Sequence, residues 1–197
     1  MAREIHDIIK FVDEAGKLEN TFRFSETLKD VRESVADHSW RLSLLTFLVD
    51  DEFDLKLNVK HALKMAIVHD LAEALTGDID AFHVITGKIT EKQKIANEKR
   101  AINKITKGYP FGKDIKKLWQ EYLDSKTKEA HFVKALDKLE GYLSILEAGY
   151  KEYNKKVFYA SYADDAVNKF PKLKPLLKGI KSKLKKELSK GNVEWKE

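Results

Sequence analysis

Cysteine is absent from the 197 residues. That excludes a disulfide scaffold, a cysteine-ligated zinc or iron–sulfur site and thiol nucleophilic catalysis. Any metal must therefore be held by His, Asp or Glu. Three prolines and nine glycines are too few for a collagen-like or Pro-rich disordered chain. Apolar runs stop after a few residues, far short of the roughly 20 needed to cross a bilayer. The opening MAREIHDIIK has neither a long apolar region nor a small-residue cleavage site, so no secretory signal is read there. The expectation is a cytoplasmic protein without membrane attachment. No GxxxxGK[ST] occurs, which removes a P-loop NTPase.

What is present describes a folded, water-soluble chain. Hydrophobic residues make up 43% and charged residues 35%, and the length suits a single domain able to bury a core without staples. The formal charge of +5 is unevenly placed: residues 169–190 carry nine lysines against one glutamate, so the rest is slightly acidic. The Lys-rich segment has no interleaved aromatics and reads as the solvated face of an amphipathic helix. Nucleic acid is not an expected partner.

Helical spacing dominates. Ile5, Ile8, Ile9 and Val12 mark a helix over 3–17, and 18–33 read as a loop. Ser34 with Asp37 three residues on is a capping-box variant opening a helix to about Asp50. Asn58 caps another, expected to run unbroken to Leu75 and to stop at Thr76-Gly77. Thr90 and Gln93 form a second capping box, for a helix ending at Lys107-Gly108. Further helices are expected over 112–124 and 127–148, the latter closed by Gly149. Ser161 is expected to cap a short helix, and Pro175 falls in the first turn of a last one. No segment alternates like a strand. The fold class is all-α, a single helical bundle of seven or more helices.

The segment Val68-His69-Asp70-Leu71-Ala72-Glu73 is the most informative for chemistry. Glu73 follows His69 by four residues and Asp70 by three, so a helix carries the three on one side. Their neighbours Met65, Ala66, Ile67, Leu71 and Ala72 are apolar. If this side turns inward, its charges must be neutralised by pairing or by a metal; if it turns outward, it is a solvated polar face. His38, in Glu33-Ser-Val-Ala-Asp-His-Ser-Trp, starts its own apolar helix and by itself reads as a packed histidine at a capped terminus. Asp137, between Leu136 and Lys138, by itself reads as an exposed partner of Lys134 or Lys138. His6, His61, His83 and His131 lack ligand spacing.

Taken together, ESVADHSW, then AIVHDLAEALTGDI, then FVKALDKLE resemble the HD-domain metal-dependent phosphohydrolases. Within them, the chain is most similar to the branch of bacterial 5′-deoxynucleotidases and oxetanocin-type phosphohydrolases. The resemblance covers roughly residues 5–150. It implies that His38, His69, Asp70 and Asp137 are ligands of one divalent metal ion, with Mn, Co, Fe, Ni, Zn and Mg all suited to nitrogen and oxygen donors. It assigns Glu73 to orienting or deprotonating the attacking water. Asp78, in the TGD turn, is assigned to positioning nucleophile and nucleotide, although locally it serves equally as a helix-stop residue.

The family's phosphate-holding Arg falls on Arg23, whose planar fork suits phosphoryl oxygens. There the bacterial enzymes carry Arg-Trp and this chain has Arg23-Phe24, which leaves deoxy-over-ribo preference open. The implied activity is removal of the 5′-phosphate from (deoxy)nucleoside monophosphates by a homodimer. The alternatives are an HD-type hydrolase of a triphosphate or diester, or a non-catalytic nucleotide- or nucleic-acid-binding module. The expected division is an HD core over 1–155 and a helical, Lys-rich extension over 156–197 packed on the same domain.

Overall fold

The computed structural model describes residues 2–30 and 32–197. Val31, in the segment read as loop, lies outside them. The helices, in chain order, are α1 (Ala2–Ala15), α2 (Val35–Phe53), α3 (Val59–Val68), α4 (Glu73–Thr76), α5 (Ala81–Ile85), α6 (Glu91–Ile105), α7 (Gly112–Asp124), α8 (Lys128–Ala148), α9 (Asp164–Lys169) and α10 (Lys174–Ser189). Two short strands, β1 (Val157–Tyr159) and β2 (Glu194–Lys196), accompany them. The fold is all-α with one minor sheet.

Local chemistry sets most helix starts. Ser34 Oγ accepts from the Asp37 N–H at 3.0 Å while Asp37 Oδ2 accepts from the Ser34 N–H at 2.9 Å, closing the box that opens α2. Thr90 and Gln93 do the same for α6, and Asn58 accepts from His61 N–H ahead of α3. Gly77 and Gly149 end α4 and α8 with positive φ, where a side chain would be strained.

Three expectations need correcting. The helix from Asn58 does not run unbroken to Leu75: it stops at Val68, and residues 69–72 form a tight turn before α4. In that turn Leu71, Glu73 and Ala74 N–H groups donate three residues back rather than four, so the chain winds tighter than an α-helix. Ser161 does not cap α9, which starts at Asp164 behind Ala163; Ser161 contributes only its carbonyl, to Asp164 N–H. Strands do occur, but a three-residue pair is too short to show alternation. β1 and β2 run parallel, joined through α9 and α10, with Phe158 stacked on Trp195.

α8 is the axis of the bundle. It packs against α2, α3, α7, α9 and α10, and Phe132, Val133, Ala135, Leu136 and Leu139 are fully buried. A helix apolar on most sides belongs at the centre of a core, and each such large side chain contributes about 1.5–3 kcal/mol by burial. Ile180, Leu184 and Leu188 of α10 join this core while its lysines face solvent, except the part-buried Lys181, which pairs with Asp164 of α9. A second cluster, with Leu18, Val35, Leu71, Ile102, Ile105 and Trp119, sits under the turn after α3. Together the clusters hold α2, the 69–72 turn and α8 around one buried polar point.

Candidate metal centre

That point is built on two imidazoles. His38 stands on the first turn of α2 and is fully buried; His69 follows the last residue of α3. His69 Nδ1 lies 2.8 Å from the Ala66 carbonyl, and His38 Nδ1 meets the buried Glu140 carboxylate. A carbonyl and a carboxylate only accept, so both Nδ1 atoms donate. The Nε2 atoms then face each other at 3.1 Å. Two lone pairs that close in a dry interior require positive charge beside them. A proton on His38 meets that requirement: burial and Arg23 disfavour it, but hydrogen bonds to Asp137 and Glu140 outweigh them and raise the pKa to about 9. A metal cation meets it equally, and the donor set suits one.

Carboxylates complete the set. Asp137 Oδ1 lies 3.3 Å from His38 Nε2, and the ligand atoms of His38, His69 and Asp137 all fall within 4.8 Å of one another. Asp70 Oδ2 lies 3.0 Å from His69 Nε2 and 3.7 Å from His38 Nε2. The structure thus brings all four expected ligands together. Burial opposes ionisation of Asp70 and Asp137, yet both are held below the ordinary carboxylate range, Asp70 by the imidazoles and Asp137 by Lys138 and the imidazoles. The outer oxygen of Asp137 is already used: Oδ2 accepts from Tyr122 Oη at 2.8 Å and pairs with Lys138 Nζ at 3.2 Å. That aims Oδ1 at the centre, the orienting role that outer-shell partners play at metal sites.

Glu73 and Asp78 border the same space from α4 and the turn after it. Glu73 is buried, and its Oε2, like Asp78 Oδ2, has no hydrogen-bond partner among the described residues. Buried orphan oxygens call for a ligand, water or cation. Burial, reinforced by Asp70, pushes Glu73 well above the usual range; burial likewise raises Asp78 to about 6, against Arg23 and Lys94. Lys94 of α6 stands 3.7 Å from Glu73 Oε1 and 3.5 Å from Glu98.

Arg23 and Phe24 line the same cavity, of about 350 Å³, together with His69, Asp70, Glu73, Asp78, Lys94 and Asp137. Arg23 is also structural: Nη1 pairs with Glu33 and, at 3.1 Å, with Glu140. Arg41 pairs with the same two glutamates. Phe24 holds a left-handed backbone, φ +58°, which costs a bulky residue about 1–3 kcal/mol and persists only where surroundings enforce it. Part of that enforcement comes from Asp80. Its carboxylate accepts from the N–H groups of Glu26, Thr27 and Phe82 and from Thr27 Oγ1, tying the Arg23 loop to the segment after Asp78. His61 and His83 pair with Glu121 and Glu26 instead.

A family profile described as HD domain matches residues 15–174. The chain belongs to the HD domain family. This HD domain protein is 34% identical over 190 residues to 5′-deoxynucleotidase HDDC2 of Dictyostelium discoideum, covering 91% of this chain and 97% of that one. It is 33% identical over 153 residues to the Xenopus laevis protein of the same name, covering 76% and 72%. A crystal structure titled as a predicted metal-dependent phosphohydrolase from Magnetospirillum magnetotacticum MS-1 covers 97% of this chain and 98% of its own, with a TM-score of 0.76 at 23% identity, a likeness of fold.

Several residues of the HD domain site escaped the sequence reading. Glu140 follows Asp137 by one helical turn, a spacing that places both on one face, and it orients His38. Lys94 and Glu98, four residues apart on α6, likewise share one face. Tyr122 and Asp80 carried no signal, because Tyr122 reaches Asp137 from another helix and Asp80 reaches the Glu26–Thr27 backbone more than fifty residues away. Lys138 was read only as a surface partner of Asp137, and the pair is largely buried.

Proposed function

We propose that this HD domain protein is a divalent-metal-dependent phosphomonoesterase that removes the 5′-phosphate from deoxynucleoside monophosphates. The observation carrying the reading is the convergence of the His38 and His69 Nε2 atoms beside Asp70 and Asp137, next to the unpartnered Glu73 and Asp78 oxygens. The relatives named 5′-deoxynucleotidase support the choice of substrate.

In this reading His38, His69, Asp70 and Asp137 hold one divalent ion of the group Mn, Co, Fe, Ni, Zn and Mg. When bound, such an ion supplies positive charge that acidifies water and offsets phosphate charge. Glu73 takes the proton of the attacking water; its raised affinity for protons, set by burial, suits a base that must return the proton later. Asp78 holds the water and the nucleotide in line. Arg23 draws on its donors other than Nη1 for the phosphoryl oxygens. Phe24 faces the sugar. Water attacks phosphorus, the P–O5′ bond breaks, and the 5′ oxygen leaves with a proton. Inorganic phosphate and nucleoside are the products.

The protein acts as a homodimer in this proposal. Ile5, Ile8, Ile9 and Val12 on α1, and Trp40, Leu44, Phe47 and Leu48 on α2, form two apolar stripes left exposed.

The test is phosphate release from ribo- and deoxyribonucleoside mono- and triphosphates by metal-stripped protein resupplied with each metal. Metal-dependent release from deoxynucleoside monophosphates is expected. Folded, metal-loaded protein that releases none from them would overturn the reading.

A further inference from the structure

The cavity has two chemically different ends, and α8 runs beneath both. Asp137, Gly141 and Ile145, each one turn apart, all line it. At about 1.5 Å per residue, the rise from Asp137 to Ile145 is about 12 Å. The Asp137 end is ionic, with His69, Asp70, Glu73, Asp78 and Lys94. Past Gly141 the lining is largely aromatic: Tyr142 contacts Phe158, and Phe82 contacts Tyr159. None of these four rings has a part in the proposed hydrolysis. Two of them come from β1, in a segment to which the sequence assigned no role.

The aromatic end is built with support behind it. Tyr142 and Phe158 are buried, and their ring centroids lie 5.2 Å apart. Trp195 of β2 stacks on Phe158 at 5.0 Å, so the last strand braces β1. Phe82 and Tyr159 are only half-buried and meet at 6.2 Å, tilted by 56°. Lys155 stands over Phe82 at 4.3 Å and Lys196 over Tyr159 at 5.4 Å. The Phe82 backbone is pinned by Asp80, the same carboxylate that anchors the Arg23 loop. The rings are thus fixed relative to the phosphate end.

We infer that Phe82 and Tyr159 form the wall against which the nucleobase of the substrate stacks, making them specificity-determining residues. The inference rests on the phosphomonoesterase reading for the identity of the other end. A base presents a π-face that stacks on aromatic rings whatever its edge pattern. A cavity of about 350 Å³ is at the small end for ligand pockets, the size for one mononucleotide rather than a longer chain. The C-terminal segment is then part of the active site.

The experiment compares thymidine 5′-monophosphate with 2-deoxyribose 5-phosphate, which keeps the sugar and phosphate and lacks the base. Tyr159→Leu and Phe82→Leu, on different elements, should each lower kcat/KM for the nucleotide about tenfold, mainly through KM. Both should leave the base-free ester within about twofold of wild type, and Tyr159→Phe should restore the nucleotide. Equal loss on both substrates, or no loss on either, overturns the assignment. Wild-type protein that hydrolyses neither ester would instead overturn the phosphomonoesterase reading. Calorimetric binding of the same two ligands then decides the subsite: preference for the nucleotide, lost in both leucine variants, supports it, and equal binding overturns it.

Discussion

Glu140 and His38 meet in a fully buried hydrogen bond between α8 and α2, carboxylate to Nδ1. The bond fixes which imidazole nitrogen bears the proton, and so turns Nε2 toward His69 and Asp137. The same carboxylate is held by Arg23 and Arg41. One side chain therefore couples a metal-ligand candidate to the loop that carries a phosphate-ligand candidate.

Glu140→Gln should weaken metal binding about 10- to 100-fold, the usual cost of losing an orienting carboxylate behind a ligating histidine. Competition with a chelating dye measures it. Unchanged affinity would mean that packing alone orients His38.

Glu73→Gln should keep the metal and lower turnover about 10²- to 10⁴-fold, the range for loss of a general base. Asp70→Ala should lose both metal and turnover. Metal content by elemental analysis, set beside steady-state rates, separates the two. Normal turnover in the Glu73 variant would remove it from the proposed mechanism.

Helix positions were legible because caps and periodicity are local: Ser34, Thr90 and Asn58 announce themselves within three residues. The break after Val68 was not, since apolar spacing continues smoothly through Leu71 and Ala72. His38 and Asp137 stood out as ligands only through the resemblance of the ordered H…HD…D pattern, and α2, the turn after α3 and α8 bring the four expected ligands together. Their supports did not, because Tyr122 reaches Asp137 from another helix and Asp80 works through backbone groups more than fifty residues away. At α1 and α2 apolar periodicity predicts a helix but not which way its apolar face turns.

The acid side of the pH profile should be set by Asp78 and Glu73. Burial raises both, Asp78 to about 6. A carboxylate that must accept a proton or hold water as an anion is lost when protonated, so turnover should fall as pH drops through about 6. Lys94 is among the charges opposing both shifts. Lys94→Met should therefore move the acid limb to higher pH. Rate–pH curves for the two proteins decide it, and superimposable acid limbs would show that neither carboxylate controls the step.

The exposed stripes on α1 and α2 set the last expectation. Their eight large apolar side chains are 42–66% exposed. Taken together, the two stripes offer an area on the order of the 800 Å² that each partner contributes to a standard interface, and exposed apolar surface beyond scattered single residues marks contact sites. Ile9, at 64% exposure, touches no core of its own chain tightly enough for its replacement to unfold the bundle. Ile9→Glu should thus convert a dimer into a monomer of 22.7 kDa with the thermal midpoint of the bundle nearly unchanged. Light scattering coupled to gel filtration reads both masses. A wild-type chain that is already monomeric at tens of micromolar would overturn the dimer and leave these stripes to a different partner.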